Sequence, residues 1–205
     1  MELPQALAEL RKEKKRNFDQ SIEVIINLKE IDIKKDNIST IIALPHVVKE
    51  KKVCAFFATK SKLVPTVTPA EFAKYKDAKE LKRLVKSYDF FISAAKLMPS
   101  VATTFGKALG PTGKMPSPQL GVLMQEDDAS LQVLLVRITT AVKIRVKEPS
   151  VKIPVGKLSM KDEVLLANIR AIYQGLIAVL PIKKDNVKSV LIKLTMSKPL
   201  RVEMK

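Results

Sequence analysis

Glycine, lysine and proline are concentrated in one short segment of the chain, residues 106–116. The chain has only six glycines, and Gly106, Gly110 and Gly113 lie in this segment beside Lys107 and Lys114. Glycine permits turns and close approaches that a Cβ forbids, so we predict a loop here. A basic, glycine-rich loop suits contact with phosphate, and a surface turn without a ligand fits the residues equally well.

This segment does not match the phosphate-binding loops of nucleotide enzymes. The NTPase loop needs four residues between its glycines and a Lys-Ser/Thr pair, whose hydroxyl binds Mg²⁺. Here three residues separate Gly106 from Gly110, and Met115 follows Lys114. The dinucleotide pattern, with glycines at positions one, three and six, is absent as well. The spacing therefore argues against a nucleotide-hydrolysing enzyme.

Other reactive residue types are too sparse to form a catalytic or metal site. His46 is the only histidine and Cys54 the only cysteine, so we expect neither a zinc site nor a catalytic Cys–His pair. Residues 126–128, Glu-Asp-Asp, have the oxygen ligands that Mg²⁺ prefers, but their pattern favours an exposed acidic turn. We predict no catalytic residue, no metal and no cofactor.

The composition indicates a polyanionic partner. The chain has 205 residues, 46% of them apolar, and a formal net charge of +16. Such a surplus destabilises the compact state unless a polyanion relieves it, so nucleic acid or an acidic membrane is expected. No apolar run is long enough to span a bilayer, and the first residues lack an apolar signal region. We expect a basic cytoplasmic protein that does not associate with membranes.

The elements that must position these residues change character twice along the chain. A helix is predicted over 3–16. Strands rich in β-branched residues follow at 21–28 and 39–44, with a polar turn at 31–37 between them, and we expect these two strands to pair. From 47 onward, strands at 53–58, 88–93 and 140–146 alternate with helices that begin at Pro69, near Leu81 and at Met98, while 131–136 is ambiguous. After Pro154 come a helix that ends before Pro181, a strand at 190–194 and a short strand at 201–203.

This order predicts an α+β fold in which a split two-layer α/β domain is interrupted by an inserted three-layer domain with parallel strands. The outer domain comprises 1–46 and 154–205, and the inserted domain comprises 47–153. On these bounds 1–46 has net charge 0, 47–153 has +10 and 154–205 has +6. Charge alone would therefore place a nucleic-acid surface on the insert, although charge does not locate a specific site.

Five stretches of the chain resemble the L-one family of ribosomal proteins, the protein of the mobile stalk of the large ribosomal subunit. They occur in family order and look most like archaeal members. The stretches are Phe18-Asp19 with Glu23-Val24 and Leu28; Ala43-Leu44-Pro45-His46; 109–116; 154–159 with Asn168; and 194–197.

The resemblance implies that the inserted domain is Rossmann-like and that the split domain binds large-subunit rRNA. It also implies a position near the exit site for deacylated tRNA, and repression of translation through the protein's own mRNA. Ser197 stands where the family has glycine. The RNA-binding residues it implies are Arg16, Asn17, Phe18, Glu23, Lys157, Ser159, Thr195, Met196 and Ser197, with a secondary loop of Gly110, Gly113, Lys114 and Met115 in the insert.

Other function classes remain open on the residues alone. One alternative is a small α/β enzyme that uses the glycine segment on a phosphorylated substrate, and others are a generic basic RNA-binding protein or a membrane-surface protein. Phe18 beside basic residues suits base stacking, and a core aromatic that anchors the first strand competes closely with that interpretation. The free protein is expected to be a monomer.

Overall fold

The structure is a computed structural model that describes residues 1–14, 16–32, 38–146 and 148–204, with only the backbone of Lys76. Most of the turn predicted over 31–37 lies outside these residues. The helices are α1 Leu3–Lys12, α2 Ala78–Ser87, α3 Met98–Thr112, α4 Asp128–Thr140 and α5 Asp162–Val179. The strands are β1 Ser21–Leu28, β2 Ser39–Ala43, β3 Val53–Phe56, β4 Thr66–Val67, β5 Phe90–Ala94, β6 Val122–Leu123, β7 Ala141–Arg145, β8 Ser150–Lys157, β9 Val187–Leu194 and β10 Leu200–Val202. The fold is mixed α/β, and no helix of the described residues is long and apolar enough to cross a membrane.

The chain divides into two compact units, one of which is discontinuous in sequence. Unit 1 comprises Met1–Lys49 and Thr140–Lys205, and unit 2 comprises Glu50–Thr139. Unit 1 contains an antiparallel sheet in the order β10-β9-β1-β8 and a separate antiparallel pair of β2 with β7.

The four-stranded sheet of unit 1 buries one face. Along β1 the residues alternate between buried and half-buried, so that Ile22, Val24 and Ile26 are covered. Full burial of each such side chain contributes about 1.5–3 kcal/mol. In α1, Leu3, Leu7 and other apolar residues recur at helical spacing and are buried, and α5 buries a similar stripe. These helices and strands contribute to one hydrophobic cluster.

Two expectations about unit 1 are wrong. Strands β1 and β2 do not pair, because β1 lies between β8 and β9 whereas β2 pairs with β7. The outer unit also resumes at Thr140 instead of Pro154. Pro154 looked like a boundary because proline breaks ladders, but it lies within β8, an edge strand, beside a register shift against β1.

Unit 2 contains a parallel sheet in the order β4-β3-β5-β6. Strand β3 is buried at every position, as its continuous apolar run predicted. Although aromatic residues make up only 5% of the chain, their rings lie at the centre of this core. Phe56 contacts Phe91, Phe105 and Phe72 with ring centroids 5.6, 4.7 and 6.0 Å apart.

Some helix bounds differ from the prediction. Helix α1 ends at Lys12, before the end of the basic run. The capping box of Thr68 and Glu71 is present, but it begins only a 3₁₀ turn, Pro69–Glu71. The ambiguous stretch 131–136 is helical and belongs to α4, which buries Leu131, Leu134 and Ile138.

Candidate nucleic-acid interface

Three segments of unit 1 meet at one end of its four-stranded sheet. Strand β1 begins at Ser21, β8 ends at Lys157 and β9 ends at Leu194. Ser21 lies opposite Lys157, and Ile22 lies opposite Leu194. The residues that precede β1 and those that follow β8 and β9 are therefore neighbours. We call residues 16–20, 157–161 and 194–198 together the strand-end surface.

The strand-end surface contains the residues of the first RNA-binding group except Glu23. Glu23 lies farther along β1, half-buried, with Lys193 and Pro154 as its register partners on β9 and β8. Residues far apart in sequence that the resemblance assigned to one site are thus brought together. They are Arg16, Asn17, Phe18, Lys157, Ser159, Thr195, Met196 and Ser197.

A carboxylate holds the first two segments together. Asp19 Oδ2 accepts a hydrogen bond of 2.8 Å from Ser159 Oγ, and Asp19 Oδ1 accepts one of 3.2 Å from Ser159 N. The backbone N–H of Leu158 donates to Gln20 O at 2.9 Å. These bonds fix the turn after β8 against the segment before β1, so the site is organised before a ligand arrives.

Gln20 joins the third segment to the first, and sequence reasoning missed it. Its side chain is buried, and Oε1 accepts a hydrogen bond from Met196 N at 3.3 Å. Thr195 N donates to Ser21 O at 3.1 Å, and the Thr195 hydroxyl donates to the same oxygen at 3.3 Å. A polar residue directly before a β-branched strand was the only signal for Gln20.

Ser197 closes the turn after β9 with its side chain. Its Oγ accepts from Leu194 N at 2.9 Å and donates to Lys198 O at 3.1 Å. Its backbone φ is not positive, so this turn does not require glycine. The serine at this position therefore satisfies backbone groups of the turn itself.

Two large apolar side chains project from the strand-end surface. Phe18 is 54% exposed and Met196 is 62% exposed. The alternative that Phe18 is a core aromatic is therefore wrong. An exposed ring and a flexible thioether on the same surface offer faces on which a base or a ribose can pack.

Arg11 on α1 stabilises the turn after β8, a role that the sequence did not predict. Its Nε donates to Asp162 Oδ1 at 2.8 Å, and its Nη atoms donate to Leu158 O at 2.9 Å and Met160 O at 2.6 Å. The basic run 11–16 suits either a solvated helix end or a phosphate contact, but the Arg11 guanidinium is bonded to the turn after β8.

Other cations of the strand-end surface are exposed. Among the described residues their side chains have no hydrogen-bonded or ionic partner. Asp19 and Asp162, by contrast, are engaged with Ser159 and Arg11, which leaves the surface strongly basic. Phosphate groups are the ligands that such a rim attracts. These cations are Arg16, Lys157, Lys161 and Lys198.

Comparison with known proteins decides the family. Residues 10–198 match the model of the Ribosomal protein L1p/L10e family. The chain belongs to this family. The match covers all three segments of the strand-end surface. This is a family of ribosomal proteins, which are structural and not enzymatic.

Archaeal proteins are among its relatives, as the sequence resemblance indicated. Large ribosomal subunit protein uL1 of Thermofilum pendens is 34% identical over 202 residues, which cover 92% of this chain and 86% of that protein. The protein of the same name from Pyrococcus horikoshii is 33% identical over 93% of this chain and 90% of its own length. That of Nanoarchaeum equitans is 32% identical over 94% and 95%.

The glycine-rich segment of unit 2 is helical over 106–112, and the predicted loop begins only at Gly113. Helix α3 runs through Gly106 and Gly110 as far as Thr112, with Pro111 in its last turn. A Cβ at Gly106 or Gly110 would meet no atom within 4 Å, so neither position requires glycine for space. Gly113 does require it, because it ends the helix at φ 71°.

The lysine of this segment is used inside unit 2. Lys114 Nζ donates to Val85 O and to Tyr88 O, each at 2.7 Å. These carbonyls lie at the C-terminus of α2, where a cation is favourable. Met115 packs against the core cluster of unit 2. The geometry gives Gly113, Lys114 and Met115 local structural roles and places Gly110 inside α3, whereas their composition suggested a phosphate loop.

Acidic side chains of the turn at 126–128 accept hydrogen bonds from the segment 58–61 of the same chain. Glu126 accepts hydrogen bonds from Ala58 N at 3.1 Å, and Asp128 Oδ1 accepts one from Ser61 Oγ at 3.4 Å. This turn follows β6, and the 58–61 segment follows β3, at the carboxyl end of the parallel sheet. Ligands of open α/β enzymes bind at this end, but here a carboxylate already accepts from the exposed N–H. No group of three or more acidic, histidine or cysteine residues in the described chain could hold a metal.

The remaining reactive residues are not arranged for nucleophilic chemistry. Cys54 is buried in β3, and burial raises the pKa of its thiol to about 12. Thiolate, the nucleophilic form, is therefore negligible at neutral pH. His46 is exposed, and its backbone is held by Asn168. These residues do not support the phosphate-substrate enzyme.

The observed boundaries also change the distribution of charge. Unit 1 contains 23 basic and 13 acidic residues, a net charge of +10. Unit 2 contains 14 basic and 8 acidic residues, a net charge of +6. The charge argument that favoured the insert depended on the misplaced boundary at Pro154. The unit that carries the strand-end surface has the larger positive charge.

Proposed function

We propose that this protein is a structural constituent of the large ribosomal subunit and binds large-subunit rRNA through the strand-end surface. Its relatives carry the name large ribosomal subunit protein uL1. The observation that carries the proposal is the convergence of three distant segments into one basic surface with two exposed apolar side chains. Location in the cytoplasm, within that subunit, follows.

Each part of the surface suits a different part of an RNA. Phe18 and Met196 would contact unstacked bases or ribose, which irregular RNA exposes and regular duplex does not. Arg16 and Lys157 would pair with phosphates. Outside the strand-end surface, the Glu23 carboxylate would accept from a 2′-hydroxyl or an amino group. The preferred target is therefore an irregular helical junction and not a uniform duplex.

The inserted unit is proposed to be a Rossmann-like domain of the mobile stalk. Its parallel sheet and intervening helices support that assignment. Its positive charge would add contacts that depend on salt more than on sequence. From the family resemblance we further propose contact with deacylated tRNA at the exit site, and that the free protein is a monomer.

The same surface would allow the protein to repress its own translation. An mRNA that mimics the rRNA junction would compete for Phe18, Met196 and the basic rim. Binding to the mRNA is expected to be weaker than binding to rRNA, so that free protein represses only when rRNA is saturated. In a cell-free translation assay, repression should be relieved by an added rRNA fragment.

Chemical footprinting on large-subunit rRNA tests the main proposal. Bound protein should protect one junction, at salt concentrations where uniform duplex RNA is not bound. If about six phosphates are neutralised, affinity should fall about 10³-fold between 50 and 200 mM salt. Protection spread evenly over the rRNA, or a flat response to salt, would show that the proposal is wrong.

A further inference from the structure

A groove runs along the C-terminal half of α5, away from the strand-end surface. Its volume is about 500 Å³, and its lining includes Arg170, Tyr173, Ile177, Lys183, Lys184 and Met204. Helix α5 begins beside the strand-end surface at Asp162, and at 1.5 Å per residue Arg170 lies about 12 Å farther along it. Asn186, which follows the two lysines, bonds to Lys29 O beyond the far end of β1. The groove is therefore a separate site.

The groove contains an excess of cations. Arg170, Lys183 and Lys184 are exposed, and among the described residues none of their side chains has a hydrogen-bonded or ionic partner. Elsewhere in unit 1, Arg11 and Lys12 do have carboxylate partners. A ligand that neutralises three adjacent cations must be anionic.

The groove also has an apolar lining. Tyr173, Ile177 and Met204 are half-buried, and Tyr173 and Met204 pack against the core of unit 1. A phosphate backbone would gain little from such a lining, whereas an apolar side chain would gain burial. Concavity, apolar lining and unpaired cations together fit an acidic peptide better than RNA.

The backbone at Lys183 supports a role for its side chain. Lys183 has φ 54°, in the left-handed region that glycine adopts without a steric cost. A lysine therefore occupies a position whose backbone favours glycine. The turn is held by Asn186, whose Oδ1 accepts from Ile182 N at 2.7 Å.

The charge of the groove has a direction. Beyond Arg170 and Met204, a smaller depression of about 200 Å³ is lined by Glu2 and Glu203, and Glu203 lies 3.9 Å from the N-terminal ammonium. Carboxylates of a ligand would be attracted toward the exposed Lys183 and Lys184, at the end away from these acidic residues. A bound peptide should therefore place its carboxylates at the lysine end.

We propose that this groove is a docking site for an acidic peptide segment of a partner protein. Apolar side chains of the segment pack on Tyr173, Ile177 and Met204. Its carboxylates pair with Arg170, Lys183 and Lys184. The site is independent of the strand-end surface, so RNA and peptide can be bound together.

Fluorescence anisotropy on the full-length protein tests this with a short labelled peptide of glutamates and interspersed leucines at about 0.15 M salt. Arg170→Ala/Lys184→Ala should weaken peptide binding about tenfold or more, since each carboxylate loses its partner. Lys183→Gly should also weaken it without lowering the melting temperature, because glycine suits that backbone. The matched control is Lys82→Ala/Lys86→Ala on α2, which removes the same charge from unit 2.

Each outcome of the experiment decides the proposal. Support requires that the control variant binds normally, that serine in place of leucine in the peptide abolishes binding, and that rRNA binding is unchanged in the groove variants. Equal losses in groove and control variants would show nonspecific attraction and overturn it. Displacement of the peptide by duplex RNA, with the same residues sensitive, would make the groove a phosphate site and likewise overturn it.

Discussion

Phe18 is highly exposed and takes no part in core packing, so its replacement tests RNA binding with little effect on folding. Its neighbour Asp19 is bonded to Ser159, which fixes the backbone beside Phe18, and the ring itself is not packed in the core. Phe18→Ala should weaken rRNA binding by about 1–3 kcal/mol, the usual range for loss of base stacking. The unfolding free energy should change by no more than about 0.5 kcal/mol, because the ring is exposed.

Phe18→Tyr serves as the control for this variant, because it keeps the aromatic face and should retain most of the affinity. Filter binding with the rRNA junction gives the affinities, and urea unfolding gives the stabilities. Normal RNA binding by Phe18→Ala would show that the ring does not stack on a base. A large loss of stability would show that the ring packs in the core.

Cys54 predicts a dependence of stability on alkaline pH. The pKa of its thiol is about 12 in the fold, mainly because burial disfavours thiolate, against 9.0 when unperturbed. The stabilisation of the fold by the neutral thiol is fully present below pH 9. As pH rises from 9 toward 12, the unfolding free energy falls by about 1.4 kcal/mol per pH unit, because the thiol ionises in the unfolded chain first. Burial also raises the pKa values of Tyr75 and Tyr88, so only the difference from Cys54→Ala isolates the thiol.

Urea unfolding of both proteins between pH 8 and about 10.5 measures this difference. The stability advantage of the native protein over Cys54→Ala should shrink across that interval. A constant difference would mean that the thiol ionises normally in the fold. Rapid reaction of Cys54 with a thiol reagent in the folded protein would lead to the same conclusion.

At the scale of elements, Asn168 joins α5, β8 and the segment that leaves unit 1. It is fully buried, and its Nδ2 donates to Val155 O at 2.9 Å and His46 O at 3.3 Å. Its Oδ1 accepts from His46 N at 3.1 Å. Asn168→Ala should lower the unfolding free energy by about 2–3 kcal/mol, because buried backbone groups lose their partner.

The control for Asn168 is Asn27, whose Nδ2 makes a single half-buried bond of 3.0 Å to Ser189 Oγ. Asn27→Ala should cost about 0.5–1.5 kcal/mol. Thermal melts of both variants give the comparison. Equal effects would show that the three bonds of Asn168 do not act as a unit.

The elements also show what the sequence can predict. Periodicity located β1, β3, α1 and α5, since alternation and helical spacing are local properties. It did not reveal the partners of β1, because pairing depends on residues more than a hundred positions away. The resemblance, and not the periodicity, grouped Phe18 with Met196.

Composition gave wrong predictions for residue types that serve more than one structural role. The glycines of 106–116 suggested a loop, but tertiary packing of Val101, Phe105 and Leu109 keeps the segment helical as far as Thr112. Lys114 suggested a phosphate contact, yet it caps α2. Neither Gln20 nor Arg11 carries a local signal for its role, because each acts through a distant backbone group.

For the whole molecule, the boundary at Thr140 predicts which shortened chain folds. Leu44 N donates to Thr140 O at 2.9 Å, so the ends of the two parts of unit 1 are close. A chain that joins 1–49 to 140–205 through a short Gly-Ser linker should fold cooperatively and keep its preference for the rRNA junction. It would retain the +10 charge of unit 1.

A second chain that joins 1–46 to 154–205 is the matched control. It lacks β7 and the first half of β8, so β2 loses its partner and β1 loses most of one neighbour. This chain should show no cooperative transition by circular dichroism. If it folds, the strand pairing is wrong. If the longer chain folds but binds RNA without preference, the strand-end surface is not the specific site.

The discontinuity of unit 1 has a consequence for the order of events during synthesis. Unit 2 is continuous, so it can fold on the growing polypeptide as soon as Thr139 has emerged. Strand β1 must meanwhile wait for both of its neighbours, and the last of them ends at Leu194. A nascent chain thus lacks the turn at 194–198 until β9 and the residues after it have been synthesised. Prematurely released fragments would not compete with the finished protein for its place on RNA.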